Sequence, residues 1–187
     1  MITYFFSGKI LVVYIVICII CSIFYLRKTK SEFRNLEVLF IVVFFVYLYF
    51  AIKITQFPIF QTENMKEVLG GNIYASINMI PFKSIFNLTS LYNIILTMPV
   101  GLLIPVLKRK KMTMQSILLM IILPGLIIEG GQFVQLLVIG YTLRLIDIND
   151  IICNSIGVLA GYAVFWAMRK ITARISDIKI IEFLNKV

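Results

Sequence analysis

The residues best suited to chemistry in this sequence are carboxylates, amides and one arginine that lie inside or beside long apolar runs. They are Asn93, Glu129, Gln132, Arg144, Asp147, Asp150 and Asn154. Side chains of these types can bind a polar head group, exchange protons with a substrate, or hydrogen-bond membrane helices to one another. Their function therefore depends on the elements that carry them.

Glu129 is the residue that packing alone explains least well. It lies 15 residues beyond Met114, where its apolar run begins, which is about 22 Å along a helix. A carboxylate near the centre of a membrane costs on the order of 2.5–3.5 kcal/mol, so it usually faces a bundle interior or a watery cavity. Gln132, on the same helix face, and Arg144 are its candidate partners.

The acidic residues near the start of the last apolar run have two interpretations. Asp147, Asp150 and Asn154 are spaced three and four residues apart, so in a helix they would line one face. Either aspartate could instead only cap that helix, Arg144 could only pair with an aspartate, and Asn93 and Asn154 could only join helices. Three residues in the loop that leads to Asn93 could cover the cluster, and they are Pro81, Phe82 and Lys83.

Composition disfavours other kinds of site. The chain has no histidine, which excludes the commoner zinc sites and leaves only a carboxylate site for a hard cation; we predict neither a metal nor a cofactor. The three cysteines lie within apolar runs, as buried thiols do. Motifs of serine hydrolases, zinc proteases and phosphate loops are missing from the sequence. The net charge is +9, but no basic groove with interleaved aromatics is evident, so we predict no nucleic-acid partner.

The runs that carry these residues predict transmembrane helices. Hydrophobic residues make up 60% of the 187-residue chain, against about 45–50% in soluble domains. The first run has no basic segment before it and no small-residue cleavage site, which favours a retained helix over a signal peptide. We predict an all-α, polytopic bundle of about five transmembrane helices in the cell membrane. The runs are 10–26, 38–52, 91–107, 114–139 and 151–168, with loops over 55–90 and 140–150.

The distribution of basic residues predicts the orientation. With the N-terminus outside, the inner segments hold 13 of the 18 Lys and Arg residues, which is the usual excess on the cytoplasmic side. We therefore predict an outer N-terminus and an inner C-terminus. The polar residues named above then meet in the outer half of the membrane.

Four segments, taken in order, resemble the VanZ-like family of bacterial membrane proteins. They are 78–83 (NMIPFK), 93–101 (NIILTMPVG), 129–132 (EGGQ) and 144–157 (RLIDINDIICNSIG). The resemblance covers roughly residues 40–168, and the Arg-Asp-Asp-Asn-Gly spacing of the last segment is its most specific part. It implies that Gly157 supports the site. The sequence departs from the family where it has Gly130-Gly131 and Met98.

The resemblance also implies an organisation and a setting. Residues 1–35 would form the first helix and a cytoplasmic loop, 36–168 the VanZ-like membrane domain, and 169–187 a basic amphipathic cytoplasmic tail. The family's namesake is linked to low-level resistance to the glycopeptide teicoplanin. Expected partners are membrane lipids and a lipid-linked cell-wall precursor or a lipoglycopeptide.

Three functions remain open at this stage. The first is a binding protein whose outer polar pocket recognises an amphipathic envelope molecule. The second is a membrane enzyme for an envelope lipid or glycan, with Glu129 and Asp150 as acid and base, although no nucleophile is evident. The third is a structural partner of another envelope protein. A transporter is disfavoured because the polar residues lie on one side and no inverted repeat is evident.

Overall fold

The protein is a bundle of transmembrane helices. The computed structural model describes residues 2–28, 32–61, 76–83, 87–108, 111–140 and 145–172. Each of the five helices in these residues is long and apolar enough to cross a membrane, so the all-α multi-pass fold is confirmed. The helices are α1 (Gly8–Lys28), α2 (Arg34–Gln56), α3 (Leu88–Lys108), α4 (Met114–Ile139) and α5 (Ile148–Thr172).

The helices extend past the apolar runs that predicted them, except α4, whose limits match the prediction. Polar residues in the terminal turns of the other helices continue the backbone hydrogen bonding beyond the apolar part. The ends of α4 are fixed by caps. The Thr113 side chain accepts a hydrogen bond from the Ser116 N–H (3.3 Å), and Gly140 adopts a left-handed conformation (φ 82°). The Gly140 N–H then donates to the Leu136 carbonyl (2.8 Å), as in a helix C-cap.

Two pairs of short strands occupy parts of the predicted loops. Strand β1 (Ile2–Tyr4) pairs antiparallel with β2 (Ile59–Gln61), and β3 (Ile77–Asn78) pairs parallel with β4 (Ile146–Asp147). Strands of two or three residues are too short to show the alternation by which strands are predicted. The β3–β4 pair joins the loop before α3 to the start of α5.

Helices α3 and α5 form the most extensive contact in the described fold. Gly157 of α5 lies against the Ile94 carbonyl and the Thr97 hydroxyl, and Gly161 lies against the Met98 carbonyl. A Cβ atom at either glycine would overlap these groups, so both positions require glycine for close helix approach. In contrast, α1 has no buried residue.

Four helix ends converge at one end of the bundle, which we call the polar end. There α2 and α4 finish, and α3 and α5 begin. The Gln132 amide of α4 donates to the Thr55 carbonyl of α2 (3.3 Å), and the Thr97 hydroxyl of α3 donates to the Asn154 carbonyl of α5 (2.7 Å). That this end faces outward remains a prediction from charge. The predicted tail lies outside the described residues from position 173 onward.

Candidate functional site

A cavity of about 710 Å³ opens at the polar end between α2, α3, α4 and the start of α5. Its volume falls within the range of small-molecule sites, about 300–1,000 Å³. Five of the seven polar residues predicted from the sequence line it, and they are Asn93, Glu129, Gln132, Asp147 and Asp150. Its other polar walls are Thr55, Asn87, Thr89 and Tyr92, and its apolar walls are Ile54, Ile95, Leu96, Ile128 and Leu145.

Glu129 is almost wholly buried, with 4% of its surface exposed. Its carboxylate accepts a hydrogen bond from the Asp147 backbone N–H (3.2 Å). The bond connects the middle of α4 to the residue just before α5, so the two elements are held at one level. Arg144, the other candidate partner from the sequence, lies outside the described residues.

Asp147 caps α5 and does not belong to its helical face. Its carboxylate accepts a hydrogen bond from the Asn149 backbone N–H (2.8 Å), which is the geometry of an N-cap. The same oxygen accepts from the Asn78 side chain (2.9 Å) and the Asn149 side chain (2.8 Å). Of the two interpretations that the sequence allowed for Asp147, the structure therefore has the helix cap, and the side chain also lines the cavity.

Asp150 lies in the first turn of α5 and contributes the carboxylate of this helix to the cavity. The Asn93 side chain of α3 lies beside its carboxylate, and Asp147 is close enough to act on it electrostatically. Together with Glu129, three acidic side chains therefore line the same space. This arrangement favours a ligand group that donates hydrogen bonds.

Asn154 lies behind the cavity wall and is 1% exposed. Its backbone carbonyl, which accepts from Thr97, connects α5 to α3. Within the described residues its side-chain amide has no hydrogen-bond partner, so the expected bond between helices runs through the backbone instead. Gly157, one turn later, allows this contact because a Cβ atom there would overlap the Thr97 hydroxyl.

The three predicted covering residues lie beside the site but do not line its cavity. Pro81, Phe82 and Lys83 form an exposed turn, and Phe82 retains 70% of its surface. Phe82 adopts the left-handed conformation (φ 63°). The backbone of the turn is held against the site through Asn149. That these side chains cover the cluster when a ligand is bound stays a prediction.

Asn149 holds that turn, and sequence reasoning missed it. It is 2% exposed. Its side-chain oxygen accepts from the Phe82 N–H (2.6 Å), and its nitrogen lies within hydrogen-bonding distance of the Ile80 carbonyl (3.2 Å) and the Lys83 carbonyl (3.0 Å). The available signal was a second polar residue in the first helical turn, two positions after a capping aspartate.

A glutamine clamp at the end of α2 was also missed. The Gln135 amide of α4 donates to the backbone carbonyl (3.2 Å) and the side-chain oxygen (3.0 Å) of Gln56. The Gln56 amide in turn donates to the Ile128 carbonyl (3.2 Å). The clamp satisfies a carbonyl in the last turn of α2, which lacks a partner within its own helix.

Replacing Gln135 with leucine should loosen this clamp without changing the cavity wall. Bonds between membrane helices contribute about 0.6 kcal/mol on average, so we expect a loss of about 1 kcal/mol in stability. Unfolding by SDS, followed by circular dichroism, measures the change. Gln115→Leu is the matched control, because Gln115 is exposed in the first turn of the same helix. Equal effects of the two variants would contradict the clamp.

The described residues contain no group of three histidine, cysteine, aspartate or glutamate side chains that could hold a metal ion. That the protein uses no cofactor remains a prediction from its sequence. The chemistry evident in the cavity is that of carboxylates, amides and hydroxyls beside an apolar wall.

Comparison with known proteins identifies the family. No curated protein and no solved structure matches the chain. The sequence model of the VanZ/LLP1 family matches residues 44–169, two thirds of the chain. The match contains α3, α4, all but the last three residues of α5, and the described residues of the cavity, and it confirms the resemblance found in the sequence. The chain therefore belongs to the VanZ/LLP1 family.

Proposed function

We propose that the protein binds an amphipathic molecule of the bacterial cell envelope in the cavity at its polar end. The ligand would be a lipid-linked cell-wall precursor or a lipoglycopeptide. The observation that carries the proposal is that carboxylates and amides meet an apolar wall within one cavity of about 710 Å³. The polar wall suits a head group, and the apolar wall suits the start of an acyl chain.

The position of the apolar wall supports entry from the lipid. Ile54 and Ile95 line the cavity yet are 60% and 57% exposed. In a transmembrane bundle, exposed apolar side chains face acyl chains. A ligand anchored in the leaflet could thus reach the carboxylates without leaving the membrane. In the predicted orientation, the ligand would come from the outer leaflet, where cell-wall precursors and antibiotics are found.

Family membership supports a role in tolerance to glycopeptides. Binding the lipid-bearing drug teicoplanin, or the membrane molecule on which it acts, would lower the effective drug concentration at the cell surface. Vancomycin lacks the acyl chain, so this role is selective for teicoplanin.

Asp150→Asn tests the proposal because it removes one cavity charge with little change in shape. Loss of a hydrogen bond to a charged group costs about 1.5–3 kcal/mol, so binding should weaken about tenfold or more. We expect wild type, expressed in a susceptible Gram-positive host, to raise the inhibitory teicoplanin concentration but not that of vancomycin. The variant should return tolerance to the level of the empty vector.

The control is Ser155→Ala, whose hydroxyl donates only to the Ile151 carbonyl of its own helix (2.8 Å). Membrane levels of all variants are compared by immunoblot. Tolerance retained by Asp150→Asn at equal expression argues against the cavity as the binding site. Loss of the protein from the membrane would instead favour a structural role for the polar residues.

A membrane enzyme is the second candidate, because Glu129 and Asp150 line the same cavity from different helices. Such carboxylates can act as acid and base. Purified protein incubated with head-group-labelled lipids would then release labelled product, and Glu129→Gln would abolish that release.

A further inference from the structure

The depth of the site in the membrane follows from α4. No charged residue occurs between Glu129 and the end of this helix at Ile139. The last two turns expose Val134 and Val138, which are 57% and 80% accessible. Such surfaces belong in a membrane, so the membrane reaches the end of α4. Glu129 is ten residues before that end, or about 15 Å along the axis.

The length of α4 sets the depth of Glu129 once Ile139 is placed at the outer limit of the head groups. Head groups occupy about 5–7 Å on each side of a hydrocarbon core that is about 30 Å thick. Glu129 then lies roughly 8 Å inside the hydrocarbon, and Met114, about 22 Å away, lies at the inner boundary of the core.

The segment Ile77–Lys83 lies level with Glu129. Its first two residues form β3, which pairs with β4, and Asp147 of β4 donates its N–H to the Glu129 carboxylate. The turn that follows is bound by Asn149 in the first turn of α5. A non-helical segment of the chain is thus held at a depth where water is scarce.

Four backbone polar groups of this turn are contacted by asparagine side chains. Asn149 contacts the Phe82 N–H and the Ile80 and Lys83 carbonyls, and the Asn78 side chain accepts from the Ile80 N–H (3.2 Å). Pro81 has no N–H to satisfy. Non-helical backbone is tolerated at membrane depth only when protein meets its polar groups in this way.

The side chains of the turn are apolar and exposed. Met79, Ile80 and Phe82 are 65%, 57% and 70% accessible. Phe82 has a left-handed backbone, which costs a residue with a Cβ atom about 1–2 kcal/mol and which glycine would adopt freely. A large apolar side chain at this strained, exposed position is explained by contact with lipid. The same surface continues along α3 at Leu88 and Leu91, which are 66% and 51% exposed.

We propose that Ile77–Lys83 is a re-entrant turn that inserts Met79, Ile80 and Phe82 among the lipid acyl chains beside the cavity. The partner of this surface is the hydrocarbon of one leaflet. Lys83 ends the turn and is exposed, and its long side chain can reach the phosphate level while its stem stays in the apolar layer. The proposal does not depend on which ligand the cavity holds.

Tryptophan fluorescence tests the insertion, because the chain has a single tryptophan, Trp166. The full-length protein carrying Trp166→Phe and Phe82→Trp is reconstituted into phosphatidylcholine vesicles with bromine on acyl carbons 6 and 7. A reference protein carries Trp166→Phe and Lys111→Trp, which places the probe at an exposed position three residues before α4. Acrylamide reports access from water in both proteins.

We expect brominated lipid to quench the probe at position 82 about threefold more than the reference, because water is excluded from the hydrocarbon layer. Acrylamide should quench the probe at position 82 less than it quenches the reference. The proposal is overturned if the probe at position 82 is quenched by acrylamide as fully as the reference and is unaffected by brominated lipid. Ile80→Trp in the same background is the second probe, since only the backbone of Ile80 is bound, and it must give the same result.

Discussion

Replacing Gly161 with alanine is expected to destabilise the folded bundle, whereas the same replacement at Gly130 is expected to stabilise it slightly. At Gly161 the new methyl group would overlap the Met98 carbonyl of α3 and approach the Leu102 nitrogen to 3.1 Å. Both are backbone atoms, so no side chain can move aside. The two helices would have to separate along their most extensive contact.

The expected changes in the free energy of unfolding have opposite signs in the two variants. Overpacking a filled interface typically costs about 1–3 kcal/mol, and a rigid backbone obstacle places Gly161→Ala toward the upper end of that range. Among the described residues, a Cβ atom at Gly130 meets nothing within 4 Å. There alanine should contribute up to about 1 kcal/mol through its helix propensity.

SDS titration of the two purified variants beside wild type, followed by circular dichroism, measures both changes. Because the two variants add the same methyl group to a transmembrane helix, solubility and expression effects are shared. An unchanged midpoint for Gly161→Ala would contradict the close approach of α3 and α5. A clear loss of stability in Gly130→Ala would show that other atoms already fill the space around Gly130.

Most of the fold could be predicted from the hydrophobicity of the sequence. A predominantly apolar run of sufficient length has few alternatives to a transmembrane helix, and for this reason all five spans were recognised. Only the terminal turns were missed, since polar residues there can continue a helix into the interface. The prediction could not find β3 and β4, because two residues in each strand leave no periodic signal.

The cavity was predictable where residue spacing along one helix fixed proximity. Glu129 and Gln132 share a face of α4 and both line the cavity. Spacing was less informative where the chain leaves the helix, since it could not decide between a cap and a helical position for Asp147. Asp147 lies before α5 as a cap, and Asn149 beside it makes contacts with residues more than sixty positions away in the sequence. No local pattern specifies such a contact.

These contacts give the polar end its shape. Acceptors on Asp147 and Asn149, together with the Glu129 carboxylate, tie α4, α5 and the turn before α3 to one another. The helices α2 and α4 are joined separately through Gln132 and Gln135. The cavity lies between these two sets of bonds, so its walls are fixed by polar contacts at one end and by glycine packing deeper in the bundle.

Replacing Asn149 with leucine is therefore expected to release the turn at Ile80–Lys83 and to weaken the whole polar end. The change removes the side-chain contacts to Phe82, Ile80 and Lys83 and a further one to Asp147 (2.8 Å). A hydrogen bond between membrane helices contributes up to about 1.7 kcal/mol. Since the change also leaves buried backbone groups without partners, we expect the free energy of unfolding to fall by about 3 kcal/mol.

Ser155→Ala on the same helix is the control, since its hydroxyl donates only to its own helix and its loss should cost less than about 0.5 kcal/mol. Unfolding in SDS measures both variants, and hydrogen exchange at the Phe82 amide reports the turn directly. Fast exchange at this amide in Asn149→Leu, with wild-type exchange in Ser155→Ala, is the expected result. A protected Phe82 amide in the leucine variant would mean that membrane contact alone holds the turn, so that Asn149 only satisfies groups already in place.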